Sequence, residues 1–141
     1  MTPKASKLGG WGILRSRQIL QFPITLLIPM PQTATRWISV CPLSRIVPNT
    51  GVCALVEAEQ VAIFRVDESL YAIGNYDPFS HAYVLSRGMV GDRAGIPKVA
   101  SPIYKNNFDL RSGQCLDDET ISVPTFEVRV VDGQVEVGLA S

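Results

Sequence analysis

Only one histidine, His81, occurs among the 141 residues, and the three cysteines, Cys41, Cys53 and Cys115, form no C-x-x-C pair. One imidazole excludes any centre that needs two. An odd, scattered set of thiols leaves a disulfide framework unsupported, and the cysteines read as small, half-buried hydrophobes in a reducing compartment. Residues 1–36 hold no Asp or Glu against Lys4, Lys7, Arg15, Arg17 and Arg36, whereas the remainder carries 8 basic and 13 acidic residues, a net charge of about −5. A folded part of that sign lacks the basic face that phosphates require, and no nucleic-acid partner is expected. Long apolar runs are also missing. The stretch from Ile19 to Met30 is broken by Pro23 and Pro29 and falls short of the roughly 20 residues a membrane-spanning helix needs. No membrane partner is expected, and the expected location is cytoplasmic.

What is present divides in two. Residues 1–35 are expected to form an N-terminal extension, either flexible or not native, and the composition change at Met30-Pro31 marks Met30 as an alternative start. A basic start before an apolar run suggests a signal peptide, but no small-residue cleavage site follows Met30. From Trp37 onward, short β-branched and aromatic runs alternate with turn residues, the pattern of an all-β sandwich or barrel. The predicted strands are Trp37–Cys41, Gly51–Val56, Gln60–Val66, Leu70–Ile73, Pro97–Ala100, Asn107–Asp109, Phe126–Val131 and Gln134–Val137. Asp132-Gly133 supplies the two positive-φ positions of a type I′ hairpin. Turns at Val66–Ser69 and Arg111–Gln114 make the fold antiparallel. Residues 75–95, with Pro78, Gly88, Gly91 and Gly95, read as a long loop with a helical turn near Tyr83–Leu85. A loop of that length is usually functional or held by something.

Two segments suggest what holds it. Asn75-Tyr76-Asp77-Pro78-Phe79-Ser80-His81, with its trailing Leu85-Ser86-Arg87-Gly88, resembles the first cluster loop of a Rieske domain. Val99-Ala100-Ser101-Pro102-Ile103-Tyr104, with its continuation Phe108-Asp109-Leu110 through Gly113, Cys115 and Leu116, resembles the second. Rieske centres take a Cys and a His from each loop. In this chain Asp77, Phe79, Ser101 and Tyr104 stand at those former ligand positions. With a single His, the cluster is excluded by counting. His81 with Asp77 and Tyr104 is a conceivable lone-metal set, but one loop histidine is far more often a solvated side chain. The order of Gly51–Val56, Gln60–Arg65, Asp77-Pro78-Phe79, Val84–Gly88 and Val99–Pro102 resembles the small subunits of bacterial assimilatory NAD(P)H-dependent nitrite reductases, over about residues 36–138.

The resemblance implies a Rieske-like antiparallel β-sandwich or barrel over residues 36–141, with two former cluster-binding loops. It implies a non-catalytic subunit of an enzyme that reduces nitrite to ammonium. The partner would be a large subunit carrying FAD, siroheme and an iron–sulfur cluster, while this chain holds no cofactor, metal or catalytic residue. Phe79 is expected to pack on Ile103 or Tyr104 as a metal-free plug, with Asp77, Ser101 and Tyr104 hydrogen-bonding across the same junction. Tyr76, Tyr83, Arg87 and Tyr104 are the candidate partner-binding residues, because tyrosine and arginine dominate interface energetics. Nucleophilic catalysis by Cys53 or Cys115 would want a histidine beside it, and no family motif surrounds His81. Asp117-Asp118-Glu119 reads as a solvated face. The alternative is a free-standing protein-interaction or small-ligand module on the same fold, with no redox role; a gene neighbourhood containing a siroheme enzyme separates the two.

Overall fold

The computed structural model describes residues 35–140. The expectations placed on residues 1–35, an extension and an alternative start at Met30, lie outside the described residues except for Thr35, which opens the first strand rather than closing the extension. In chain order the strands are β1 (Thr35–Pro42), β2 (Thr50–Val56), β3 (Glu59–Val66), β4 (Ser69–Gly74), β5 (Tyr76–Asp77), β6 (Ala82–Tyr83), β7 (Met89–Arg93), β8 (Ile96–Ala100), β9 (Asn107–Asp109), β10 (Thr125–Val131) and β11 (Gln134–Ala140). Single 3-10 turns lie at Leu43–Arg45 and Leu85–Arg87. The paired strands run antiparallel, as the turn chemistry predicted. They form a six-stranded sheet ordered β1-β11-β10-β4-β3-β2, a β5-β6 hairpin and a three-stranded sheet β7-β8-β9.

The six-stranded sheet curls until its edges approach. Arg36 on β1 makes two bonds of 2.6 and 2.8 Å to Glu57, just past the end of β2, and β1 and β2 together line a cleft of about 380 Å³. Period-two alternation then assigns the side chains of β3 and β4 to two cores. Val61 and Ile63 of β3 join Ile46, Val56, Ala72, Val135 and Val137 inside the curl. Their neighbours Ala62 and Phe64 point the other way, joining Ile73, Leu85, Val99, Phe108, Leu110, Cys115 and Val123 in a second core. With both faces covered, β3 reads as one continuous apolar run. Each fully buried phenylalanine of this second core contributes about 1.5–3 kcal/mol, which ties the three-stranded sheet to the large one.

The hairpin at Asp132-Gly133 has the expected pair of positive φ values, 51° and 79°, and pairs Val131 with Gln134. Residues 75–95, predicted as a loop, instead contain β5, β6, the Leu85–Arg87 turn and β7. Two-residue strands are too short to show alternation. In β7, Gly91 interrupts it, and the strand is fixed by its ladder to β8. The helical turn falls at Leu85–Arg87 rather than Tyr83–Leu85.

Candidate functional site

Strands β4 and β8 deliver the two former cluster loops side by side. Asn75, at the end of β4, is 2% exposed and holds the first loop closed. Its Oδ1 accepts the Ser86 N–H at 2.7 Å, its Nδ2 donates to Gln60 Oε1 at 3.0 Å, and its carbonyl accepts the Leu85 N–H at 3.1 Å. Gly88 lies so close to β8 that a Cβ there would overlap the Ala100 carbonyl oxygen and approach Val99 Cγ2 to 2.6 Å. A side chain at Gly88 would therefore push the loops apart.

Asp77 and Ser101, the first of the expected ligand positions in each loop, are both fully buried. Ser101 Oγ donates to Asp77 Oδ2 at 2.5 Å, Ser80 Oγ donates to the same oxygen at 2.8 Å, and the Phe79 N–H donates to Oδ1 at 2.9 Å. Burial by itself raises the Asp77 pKa, but the hydrogen bonds from Ser101, Phe79 and Ser80 outweigh it and hold the carboxyl below its ordinary value. Asp77 is therefore a buried carboxylate whose charge is met by donors rather than by a cation.

The two loops turn out to be built on one plan. In Asp77-Pro78-Phe79-Ser80-His81 and Ser101-Pro102-Ile103-Tyr104-Lys105, the first side chain accepts the N–H two residues on, at 2.9 and 3.3 Å. The first carbonyl accepts the N–H four residues on, at 2.8 and 3.1 Å. The fifth residue has a left-handed backbone, φ 59° at His81 and 65° at Lys105. Proline in second place is the sequence signal for this repeat; the left-handed fifth position has none, because neither loop places glycine or asparagine there.

The residues present do not fit a two-iron cluster. Phe79 has no donor atom, and Asp77 and Ser101 spend theirs on each other. Tyr104 is 64% exposed. The plug expected from Phe79 against Ile103 or Tyr104 is not what closes the junction: Ile103 is 45% exposed, and the ring that meets Phe79 is Phe108, 6.1 Å away between centroids. Apolar side chains on a loop tip had no second wall to bury them, so Phe79 turned inward to the core and the hydrogen bonds closed the tip. His81 is exposed and its Nδ1 lies 2.9 Å from the Tyr76 hydroxyl, so it forms no set with the buried Asp77 carboxylate. Among the described residues no group of three His, Cys, Asp or Glu is placed to hold a metal. Burial pushes the thiols of Cys41 and Cys53 up, away from the thiolate a nucleophile needs. Asp117 is engaged locally, accepting from Asn107 N at 2.7 Å and pairing with Arg93 at 3.2 Å.

The four candidate partner-binding residues sit on the outer surface of these loops. Tyr76 and Tyr83 face each other across the β5-β6 hairpin, edge to face at 5.0 Å, and are 37% and 58% exposed. Both line a cleft of about 400 Å³ with Gln60, Pro78 and Pro124. Tyr104 stands out from the second loop, and Arg87 is exposed at the end of the Leu85–Arg87 turn.

The Rieske-like [2Fe-2S] domain family matches residues 36–138. The small subunit of NADH nitrite reductase from Escherichia coli K12 is 46% identical over 105 residues, covering 73% of this chain and 97% of the relative. A crystal structure of an NADH-dependent nitrite reductase small subunit from Mycobacterium tuberculosis superposes with a TM-score of 0.74 at 44% identity, covering 77% of this chain and 98% of that one. The nitrite reductase [NAD(P)H] large subunit of Klebsiella oxytoca is 40% identical over 102 residues, which are 72% of this chain but 11% of that polypeptide.

Proposed function

This chain belongs to the small-subunit family of NAD(P)H-dependent nitrite reductases, within the Rieske-like domains, and from that premise we propose that it is a cluster-free subunit that docks on and supports a catalytic large subunit. The carrying observation is the Klebsiella oxytoca match, in which the same domain forms a small part of a polypeptide named as the large subunit. A domain found both fused to that chain and separate from it is one that works beside it.

The complex reduces nitrite to ammonium for nitrate assimilation in the cytoplasm, with electrons from NADH or NADPH. The large subunit supplies the FAD, siroheme and iron–sulfur cluster. This chain relays no electrons through its former ligand positions, because Phe79 offers no donor and the Asp77 and Ser101 oxygens bond to each other. Its work is mechanical: to present a rigid surface of roughly 800 Å² or more that positions the large subunit. The surface is the loop tip carrying Tyr76, Tyr83, Arg87 and Tyr104. Those side chains are exposed while the backbone beneath them is locked by Asp77 and Asn75, so docking orders little and loses little entropy.

Affinity purification of the tagged large subunit from the same organism tests this. The unaltered chain is expected to co-purify, and its failure to do so overturns the subunit reading. Tyr104→Ala with Arg87→Ala is expected to abolish co-purification with the melting temperature unchanged; retained association removes the tip as the docking surface.

A further inference from the structure

The two ends of the domain lie together. Thr35 opens β1 and Ala140 closes β11, and the two are partners in the ladder that joins those strands. One residue on, Arg36 bonds to Glu57 at 2.6 and 2.8 Å, and the neighbour of Glu57, Ala58, lines the cleft of about 400 Å³ that also holds Glu59, Tyr76, Tyr83 and Pro124. The chain therefore enters and leaves beside this cleft. The Asp132-Gly133 hairpin is at the other end of the sheet, where Gln134 pairs with Pro42, roughly 25 Å away along the eight residues of β1. Arg87 is set apart as well: its neighbour Ser86 packs its carbonyl against Gly51 near the start of β2, whereas the cleft begins past the end of that strand.

This placement gives the fused relative a structural meaning. The 102 residues matched in the Klebsiella oxytoca polypeptide are 72% of this chain and 11% of that one, so the rest of that polypeptide joins the domain at one end or the other. Both ends are at one corner. Whichever end carries the join, the body of the large subunit starts out beside the cleft.

The cleft is built to hold a contact. The Tyr76 hydroxyl, 2.9 Å from His81 Nδ1, fixes one ring, and Tyr83 meets that ring edge to face at 5.0 Å. Tyr83 is 58% exposed, Glu59 and Pro124 are exposed beside it, and among the described residues the Glu59 carboxylate enters no ion pair. The rings of Tyr83 and Pro124 offer apolar contact, and Glu59 can accept the backbone N–H groups that every polypeptide carries.

We propose that the cleft receives a peptide segment of the large subunit, with apolar side chains against Tyr83 and Pro124 and backbone N–H groups on Glu59. This rests on the subunit reading, and it extends the docking surface from the loop tip toward the chain ends. Preformed rings of this kind lose little freedom on binding, and tyrosine is among the residues that carry most interface energy.

The test is photocrosslinking of the full chain in complex with the tagged large subunit, with p-benzoylphenylalanine placed at Tyr83 or, for comparison, at Val130, which is 42% exposed near the far hairpin. A crosslink to the large subunit is expected from position 83 and none from position 130. No crosslink from position 83, or equal crosslinking from both positions, overturns the inference. Tyr83→Ala with Glu59→Ala is expected to weaken association about 10-fold or more, with the melting temperature within the range typical of surface changes; association as tight as that of the unaltered chain likewise overturns it. Each of these failures leaves the subunit reading intact, provided the unaltered chain co-purifies. Failure of the unaltered chain to co-purify overturns that reading and this inference with it.

Discussion

Replacing Ser101 by alanine removes one hydroxyl from a place with no solvent, and the consequences can be worked out. Ser101 and Asp77 are both fully buried, so water cannot take over the lost bond to Asp77 Oδ2. A hydrogen bond to a charged group is worth about 1.5–3 kcal/mol, which for a domain of this size lowers the melting temperature by roughly 10 °C. The pH dependence has a definite sign. The Asp77 pKa is depressed in the folded state, so its contribution is present at neutral pH and is lost as pH falls through the folded value. Without Ser101, burial opposes ionisation with one donor fewer, and the Asp77 pKa rises. Both proteins should begin to lose this contribution where the unfolded carboxyl starts to protonate, but in Ser101→Ala the loss is smaller and ends at higher pH, so the gap between the two should narrow steadily as pH falls. Thermal melts followed by circular dichroism from pH 7 to pH 3 measure both effects. Equal melting temperatures at pH 7, or a gap that stays constant down to pH 3, would refute the claim that Ser101 stabilises a buried carboxylate.

Other substitutions probe the same junction. Gly88→Ala should cost about 1–3 kcal/mol by overpacking, because its Cβ meets the β8 backbone at Ala100; urea titration reads this, and a neutral result would mean the loops give way freely. Phe79→Ala should cost about 1–2 kcal/mol, less than truncation of a fully buried phenylalanine, since its ring is only half-buried against Phe108. Tyr104→Ala alone should leave the melting temperature within the range typical of surface changes, about 0.5 kcal/mol. After anaerobic incubation with iron and sulfide and desalting, the protein should carry no visible absorption, and a chelator should not move the melting temperature; a brown protein fraction would contradict the donor set described above.

Strands β10 and β11 could be read from sequence because seven residues carry the alternation, β3 because it is a continuous apolar run between turn residues, and the Asp132-Gly133 turn because its residue types match its φ values. The turns at Glu57-Ala58 and Ala94-Gly95 also run through positive φ, yet glutamate and alanine do not advertise it. At the site, the resemblance assigned Asp77, Phe79, Ser101 and Tyr104 to the expected ligand positions by order and spacing along the chain. The bond between Asp77 and Ser101 was expected only as one of several contacts across the junction, because sequence does not say which loop residues face inward. Tertiary burial made that choice: the short polar side chains went in, Tyr104 went out, and Phe79 turned to Phe108.

That choice bears on how the tip can act. A cluster would bridge the loops by four bonds to one inorganic unit, so their order would depend on iron. Here the bridge is one charge-assisted hydrogen bond between loops, reinforced within the first loop by Ser80 and Asn75 and against β8 by the close approach of Gly88. Each of these forms with folding itself and needs no loading step. A tip ordered in this way should present Tyr76, Tyr83, Arg87 and Tyr104 identically whatever the supply of iron. Docking that depends on the tip should then hold constant in cells starved of iron. Measuring the ratio of the two chains in complexes purified from iron-limited and iron-replete cultures checks this. A small-subunit share that falls with iron, at constant large-subunit protein, would show that the loops need more than the hydrogen bonds at Asp77 to stay in place.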